Sequence, residues 1–255
     1  MLEWRNTKQI LLALTVFMAV SMPAGAQAAL QPPPGPVPGI ETLKGKKLLF
    51  IITLKGPNRG IDDSIRKHLE SLGMSVSIGD GDNPPTPEGY DAIAVSDSVK
   101  AKTVSYAYKT TTIPIITWKP WLLQFLGMTG MQPFVDFAEE TKEEQSFLLL
   151  VNAPHPMQAG FPNGLMTPVK HAIKQYNWGK PGPGATIIAT LPGEFNKAVI
   201  FGYEKGVLMD HDFVAPARRS MFFMAQDQFD TLSDQGVRLF DAAFAWTLGQ
   251  PARCN

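Results

Sequence analysis

The sequence predicts an α/β fold, a mostly parallel central sheet with helices on both faces and additional strands in the second half. Two observations carry that expectation. Lys46 to Thr53 (KLLFII between a lysine and a threonine) is a continuous apolar run, the pattern of a strand buried on both faces of a parallel sheet. Strand-like and helix-like segments then alternate as far as Thr117, which is how parallel strands are joined by crossovers. A chain of 255 residues with 44% hydrophobic content is long enough to enclose one full core.

The first strand is followed by the turn Gly56-Pro-Asn-Arg-Gly60. Beyond it Ile61, Ile65, Leu69 and Leu72 recur at helical spacing, with Asp62 and Asp63 in the electropositive first turn and Gly73 at the stop. Met74 to Ile78 alternates as a second strand, and Gly79 to Gly89 reads as a polar loop. Asp91 to Ser96 gives a third strand, residues 98–109 a helix, and Ile113 to Thr117 a fourth strand. Crossovers in parallel sheets are right-handed, so functional loops gather at strand carboxyl ends: Thr53 to Gly60, Ser96 to Ser98, and Trp118 to Pro120. In the second half, Ser146 to Val151 reads as a strand leading into the turn-rich loop Asn152 to Gly160. Ala185 to Thr190, Ala198 to Tyr203 and Ser220 to Met224 read as further strands. The closing helix carries N-cap spacing at Thr231 and Asp234 and a buried stripe at Leu232, Leu239, Phe240, Ala243 and Trp246. Gly249 and Pro251 end it.

The N-terminus has the form of a secretory signal peptide. Arg5 and Lys8 precede an apolar run from Ile10 to Met22, then small residues up to Ala28. That run of about 13 residues is shorter than the roughly 20 needed to span a bilayer. Secreted or periplasmic localisation is therefore expected, with residues 1–28 as leader, 29–44 as a proline-rich spacer, 45–250 as one domain and 251–255 as a tail. Removing Glu3, Arg5 and Lys8 with the leader leaves 21 basic and 22 acidic residues. A charge so close to zero supplies no electrostatic footprint for nucleic acid or for an anionic membrane surface. The single cysteine, Cys254, has no partner for an intramolecular disulfide.

The phrases Ile61-Asp-Asp-Ser-Ile, Leu69-Glu-Ser-Leu-Gly73, Tyr90-Asp-Ala-Ile-Ala-Val-Ser96, His155-Pro-Met-Gln-Ala-Gly160 and the terminal Ala245-Trp246 resemble the ThuA-like branch of the class I glutamine-amidotransferase-like superfamily. The likeness spans roughly residues 45–250. It implies a flavodoxin-like three-layer sandwich and an association with sugar metabolism. In the amidotransferase branch a cysteine occupies the sharp turn after a central strand, where a helix N-terminus lowers its pKa. Here that turn holds Trp118, Lys119 and Pro120, and Cys254 lies beyond the last helix. Thiol catalysis is thereby excluded from the expectation.

The residues left for a site are few. Lys119 either faces a cleft as a cation or is simply solvated, and Trp118 or Trp121 either stack on a pyranose face or seal the edge of the core. Ser96 and Ser98 bind ligand hydroxyls or cap the following helix. Arg218 and Arg219 grip an anionic group or form a structural network with Glu204 or Asp212. His155 suits acid–base work with Glu204, or stabilises its turn. Asp210-His211-Asp212 offers consecutive groups that seldom reach one centre, so neither a metal nor another cofactor is expected. Three classes of function stay open. One is a binding or accessory module for a carbohydrate or other small polar ligand; the second is a hydrolase using His155 and a carboxylate; the third is a scaffold.

Overall fold

The computed structural model describes residues 33, 35–141 and 144–249. The expected leader, the start of the spacer, Cys254 and Pro251 lie outside them. In chain order the elements are β1 (Lys47–Ile52), α1 (Arg59–Ser71), β2 (Ser75–Asp80), β3 (Ala92–Val95), α2 (Ala101–Val104), β4 (Ile115–Thr117), α3 (Leu123–Leu126), β5 (Phe137–Glu140), β6 (Leu148–Leu150), β7 (Gly164–Met166), β8 (Tyr176–Gly179), β9 (Thr186–Leu191), β10 (Glu194–Tyr203), β11 (Arg219–Met221) and α4 (Asp234–Leu248). Among the described residues no helix is long and apolar enough to cross a membrane.

The protein is α/β, built on one large mixed sheet. Five strands in the order β2-β1-β3-β4-β11 pair in parallel. From β11 onward the order continues β10-β9-β6-β7 with antiparallel pairing throughout, and β8 and β5 extend the sheet from β10. Alternation along β1 explains why both faces must be covered. Leu48, Phe50 and Ile52 enter one core with Ile65 and Leu69 of α1 and Leu239 and Phe240 of α4. Leu49 and Ile51 enter the other, with Val99, Val104 of α2 and Leu123 and Leu126 of α3. Successive side chains of a strand point to opposite faces, so one uninterrupted apolar run supplies two cores.

The long amphipathic helices form as their spacing predicts, with local differences. Ser233, rather than Thr231, caps α4, its side chain accepting from the Gly236 N–H at 3.2 Å. The helix expected over residues 98–109 contracts to Ala101–Val104, because Ser105 takes φ 43° and ψ −128°, a conformation no helix accommodates. The strand expected over Ser220–Met224 runs from Arg219 to Met221, its length set by its three-residue register with β4. β5, β7 and β8 had no sequence signal: Phe-Ala-Glu-Glu and Gly-Leu-Met are too short to show a period.

Two sets of contacts hold α4 in place. A Cβ on Gly202 would lie 2.5 Å from the Trp246 ring, so only glycine lets α4 pack at this depth on β10. Arg238 of α4 donates to the carbonyls of Gly35, Pro36 and Ala159 at 2.8 to 3.2 Å. The segment read as spacer is fastened there: Val37 and Leu43 are buried in the α1/α4 core, and residues 40–43 form a 3-10 turn. Packing thus begins before Gly45.

Candidate functional site

The carboxyl ends of β1 and β3 flank the position where the chain reverses its direction of winding, the usual ligand crevice of an open parallel sheet. A side chain of the protein fills it. Asp62, from the first turn of α1 and 1% exposed, accepts hydrogen bonds from Ser96 Oγ at 2.6 Å and Ser98 Oγ at 2.9 Å. Ser96 Oγ in turn accepts the Ser98 N–H, and Ser98 Oγ accepts the Thr53 N–H, both at 3.1 Å. The two hydroxyls are used up joining β1, β3 and α1. Neither caps α2, whose N-cap is Lys100.

Burial raises the Asp62 carboxyl above its ordinary value of 3.8, opposed by the two serine bonds and Arg59. The sign follows: a folded-state pKa raised above the unfolded one gives stability that is fully present below 3.8 and lost as pH rises through the folded value. Asp62→Asn has no such dependence. We expect the stability of the wild type relative to D62N, from urea midpoints between about pH 3 and about pH 8, to fall as pH rises. A rise would mean that the serine bonds outweigh burial.

Beside this plug, the carboxyl ends of β3, β4 and β11 open into a cleft of about 580 Å³, lined among others by Asp97, Ser98, Lys119, Trp121, Phe125 and Gln226. Lys119 Nζ lies 2.9 Å from Asp97 Oδ1 and donates to the Asp97 carbonyl at 2.9 Å. The approach to Oδ1 is that of an ion pair, and the Asn177 side chain also supports the carboxyl. Asp97 Oδ2 accepts the Gln226 N–H at 3.1 Å. Asp97 is 3% exposed, and burial pushes its carboxyl up while Lys119 pulls it down. Asn177 on β8 braces the floor by donating to the carbonyls of Trp118 and Met224 at 2.7 and 2.9 Å. The wall is aromatic: Trp121 and Phe125 are half-buried, and Trp121 Nε1 donates to Glu139 Oε1 at 3.3 Å.

Trp118 lines neither cavity described here. It is fully buried, with its ring centroid 5.7 Å from Phe50 and 6.0 Å from Phe240, which places it in the core below the cleft. Arg219 is likewise fully buried and has no carboxylate partner among the described residues, contrary to the expectation that both arginines would find one. Its guanidinium donates to the carbonyls of Lys109, Thr111, Ile113 and Arg218, closing the loop that enters β4. Without a counter-ion its pKa is pulled down to about 9 by burial.

His155, Glu204 and Arg218 meet in a second cavity of about 560 Å³ at the amino end of β11, the opposite end of the sheet from Lys119. Arg218 donates Nε and Nη2 to the two oxygens of Glu204 at 2.7 and 2.8 Å, and Nη1 to the carbonyls of Trp246 and Gly249. Its guanidinium lies over the Trp246 ring at 4.6 Å. His155 Nδ1 accepts the Met157 N–H at 3.2 Å, which leaves the ring proton of the neutral imidazole on Nε2. Burial lowers the His155 pKa, against the pull of Glu204.

The sequence-predicted residues thus divide between two ends of one sheet: Ser96, Ser98 and Lys119 at one, His155, Glu204 and Arg218 at the other, with Trp118 and Arg219 in the interior between them. Asp62, Asp97, Asn177 and Gln226 had been passed over. Asp97, between two serines at a strand end, carried a positional signal; Asn177, in a strand without one, carried none. Among the described residues no three of His, Cys, Asp and Glu group closely enough to hold a metal ion, and His211 is paired with Asp210. No protein-family model matches the chain, and no match is found among the curated proteins.

Proposed function

We propose that the protein is a binding or accessory domain for a small polar ligand of the carbohydrate class, held in the cleft at the carboxyl ends of β3, β4 and β11. The observation that carries this is the Asp97–Lys119 pair, a cation and a carboxylate fixed side by side beneath a half-buried aromatic wall. A sugar presents hydroxyls, which both donate and accept, and an apolar ring face; this wall and floor match those surfaces in kind. On the same basis the fold is proposed to be a flavodoxin-like three-layer sandwich, supported by the parallel order β2-β1-β3-β4-β11, which corresponds to 2-1-3-4-5, and by a core on each face. Secretion or periplasmic residence is proposed from the leader-like N-terminus.

A hydrolase using His155 and Glu204 is the second proposal, favoured by their sharing one cavity. It has less support. Both Glu204 oxygens are engaged by Arg218, and His155 can act as a base at Nε2 only by moving its proton to Nδ1, where the Met157 N–H already points. One experiment separates the two. Calorimetric titration of a panel of pyranose sugars is expected to give saturable heat with the wild type and none with the charge-free double variant D97N/K119M. The first proposal fails if no sugar binds, or if the double variant binds as well. Chromophore release from p-nitrophenyl glycosides, abolished in H155A, would establish the second instead.

A further inference from the structure

The aromatic wall of the cleft does not end at its rim. Trp121, which lines the cleft, is packed edge-on between Phe137, at 5.4 Å, and Phe134, at 5.6 Å. Phe137 is fully buried and is part of the core. Phe134 is 74% exposed, and it stands with Met131 at 52% and Val135 at 54% on the loop between α3 and β5. A large apolar ring this exposed gains little from folding. The backbone nevertheless presents it outward, with Phe134 at φ 65°, in a region that bulky residues rarely adopt. The loop is firmly tied down. Asp136 Oδ2 accepts the Gln132 N–H at 2.9 Å, the Asp136 N–H reaches the Gln132 carbonyl at 2.8 Å, and the Phe134 N–H reaches the Phe137 carbonyl at 2.9 Å. The Lys180 N–H anchors the loop to the sheet by donating to the Asp136 carbonyl at 2.6 Å.

From this continuity we infer that the ligand has two rings, and that Phe134 is the platform for the second. The inference rests on the proposal that the Asp97–Lys119 cleft holds a sugar. The first ring takes the charged floor and the Trp121 wall. A second ring joined to it leaves the cleft over the Trp121–Phe134 edge, where the exposed Phe134 ring, flanked by Met131 and Val135, offers an apolar face to be matched. The occupant is therefore a glycoside whose second unit offers a flat apolar face, either another pyranose or an aromatic aglycone.

The test uses glucose, galactose, mannose and N-acetylglucosamine, each as the free sugar, as its phenyl β-glycoside and as a β-1,4-linked disaccharide, titrated into wild type, Phe134→Ala and Phe134→Trp. For the sugar that binds, a two-ring form is expected to bind about tenfold tighter than the free sugar. Phe134→Ala should erase that advantage and leave the free sugar's affinity unchanged, while Phe134→Trp retains it. Which of the two-ring arms gains tells a sugar from an aglycone. The inference alone is overturned if the free sugar binds as tightly as its two-ring forms, or if Phe134→Ala keeps their advantage. If no probe binds at all, the proposal for the cleft falls and takes the shelf with it. Equal melting temperatures of the three proteins are expected, since Phe134 is outside both cores.

Discussion

Replacing Lys119 by methionine is expected to lower the unfolding free energy at neutral pH by about 3 kcal/mol, the cost of leaving a buried carboxylate without its cation. Asp97 is 3% exposed and the Lys119 side chain 16%, so solvent does little to screen the loss. What remains beside Asp97, the Gln226 N–H at Oδ2 and the Asn177 side chain, is neutral and cannot replace the cation. Two further outcomes separate charge from shape. Asp97→Asn on the K119M background should recover most of the lost stability, because removing both members of a buried pair costs far less than removing one. The deficit of K119M should also shrink as the solution is acidified. Burial already raises the Asp97 carboxyl, and losing Lys119 raises it further, so protonation relieves the penalty. Urea denaturation of wild type, K119M and D97N/K119M across pH measures all of this. A K119M protein as stable as the wild type would show the pair to be open to water, and the floor of the cleft would have to be redrawn.

The other large effect is expected at Arg219. Substitution by methionine keeps much of the buried stem but strips the donors from the carbonyls of Lys109, Thr111, Ile113 and Arg218. A buried, unpaired acceptor costs on the order of 1 to 3 kcal/mol, and some of these carbonyls will regain water, so a loss of about 3 kcal/mol is expected. The damage should be local as well as global: amide exchange in residues 109–115 should accelerate more than in α1 or α4. A neutral R219M would mean that burying this guanidinium costs as much as its four bonds return.

These two lysine and arginine predictions also mark where sequence legibility ends. Periodicity exposed the long helices and the apolar strands, because α1 and α4 each repeat their buried positions over three or more turns and β1 buries five of its six residues. The chain-reversal loops were legible for the same reason, since strand ends follow once strands are placed. The antiparallel extension through β5, β7 and β8 was not, because segments of three or four residues hold too few positions to reveal alternation. Side-chain direction was also hidden. Adjacent Arg218 and Arg219 look equivalent in sequence, yet strand alternation sends one to Glu204 and the Trp246 ring and the other into the carbonyls ahead of β4. Trp118 and Lys119 part in the same way, one into the core and the other into the cleft. His155, Glu204 and Arg218 do converge, but at the amino end, which no rule about carboxyl-end loops would have suggested.

Arg238 fixes Gly35 and Pro36 against the first half of α4, and Gly39 and Gly249 border one cavity at its far end, so the first and last described segments lie along the same helix. Such proximity also suits the molecule to circular permutation, with new ends cut into the exposed Pro192-Gly193 hairpin.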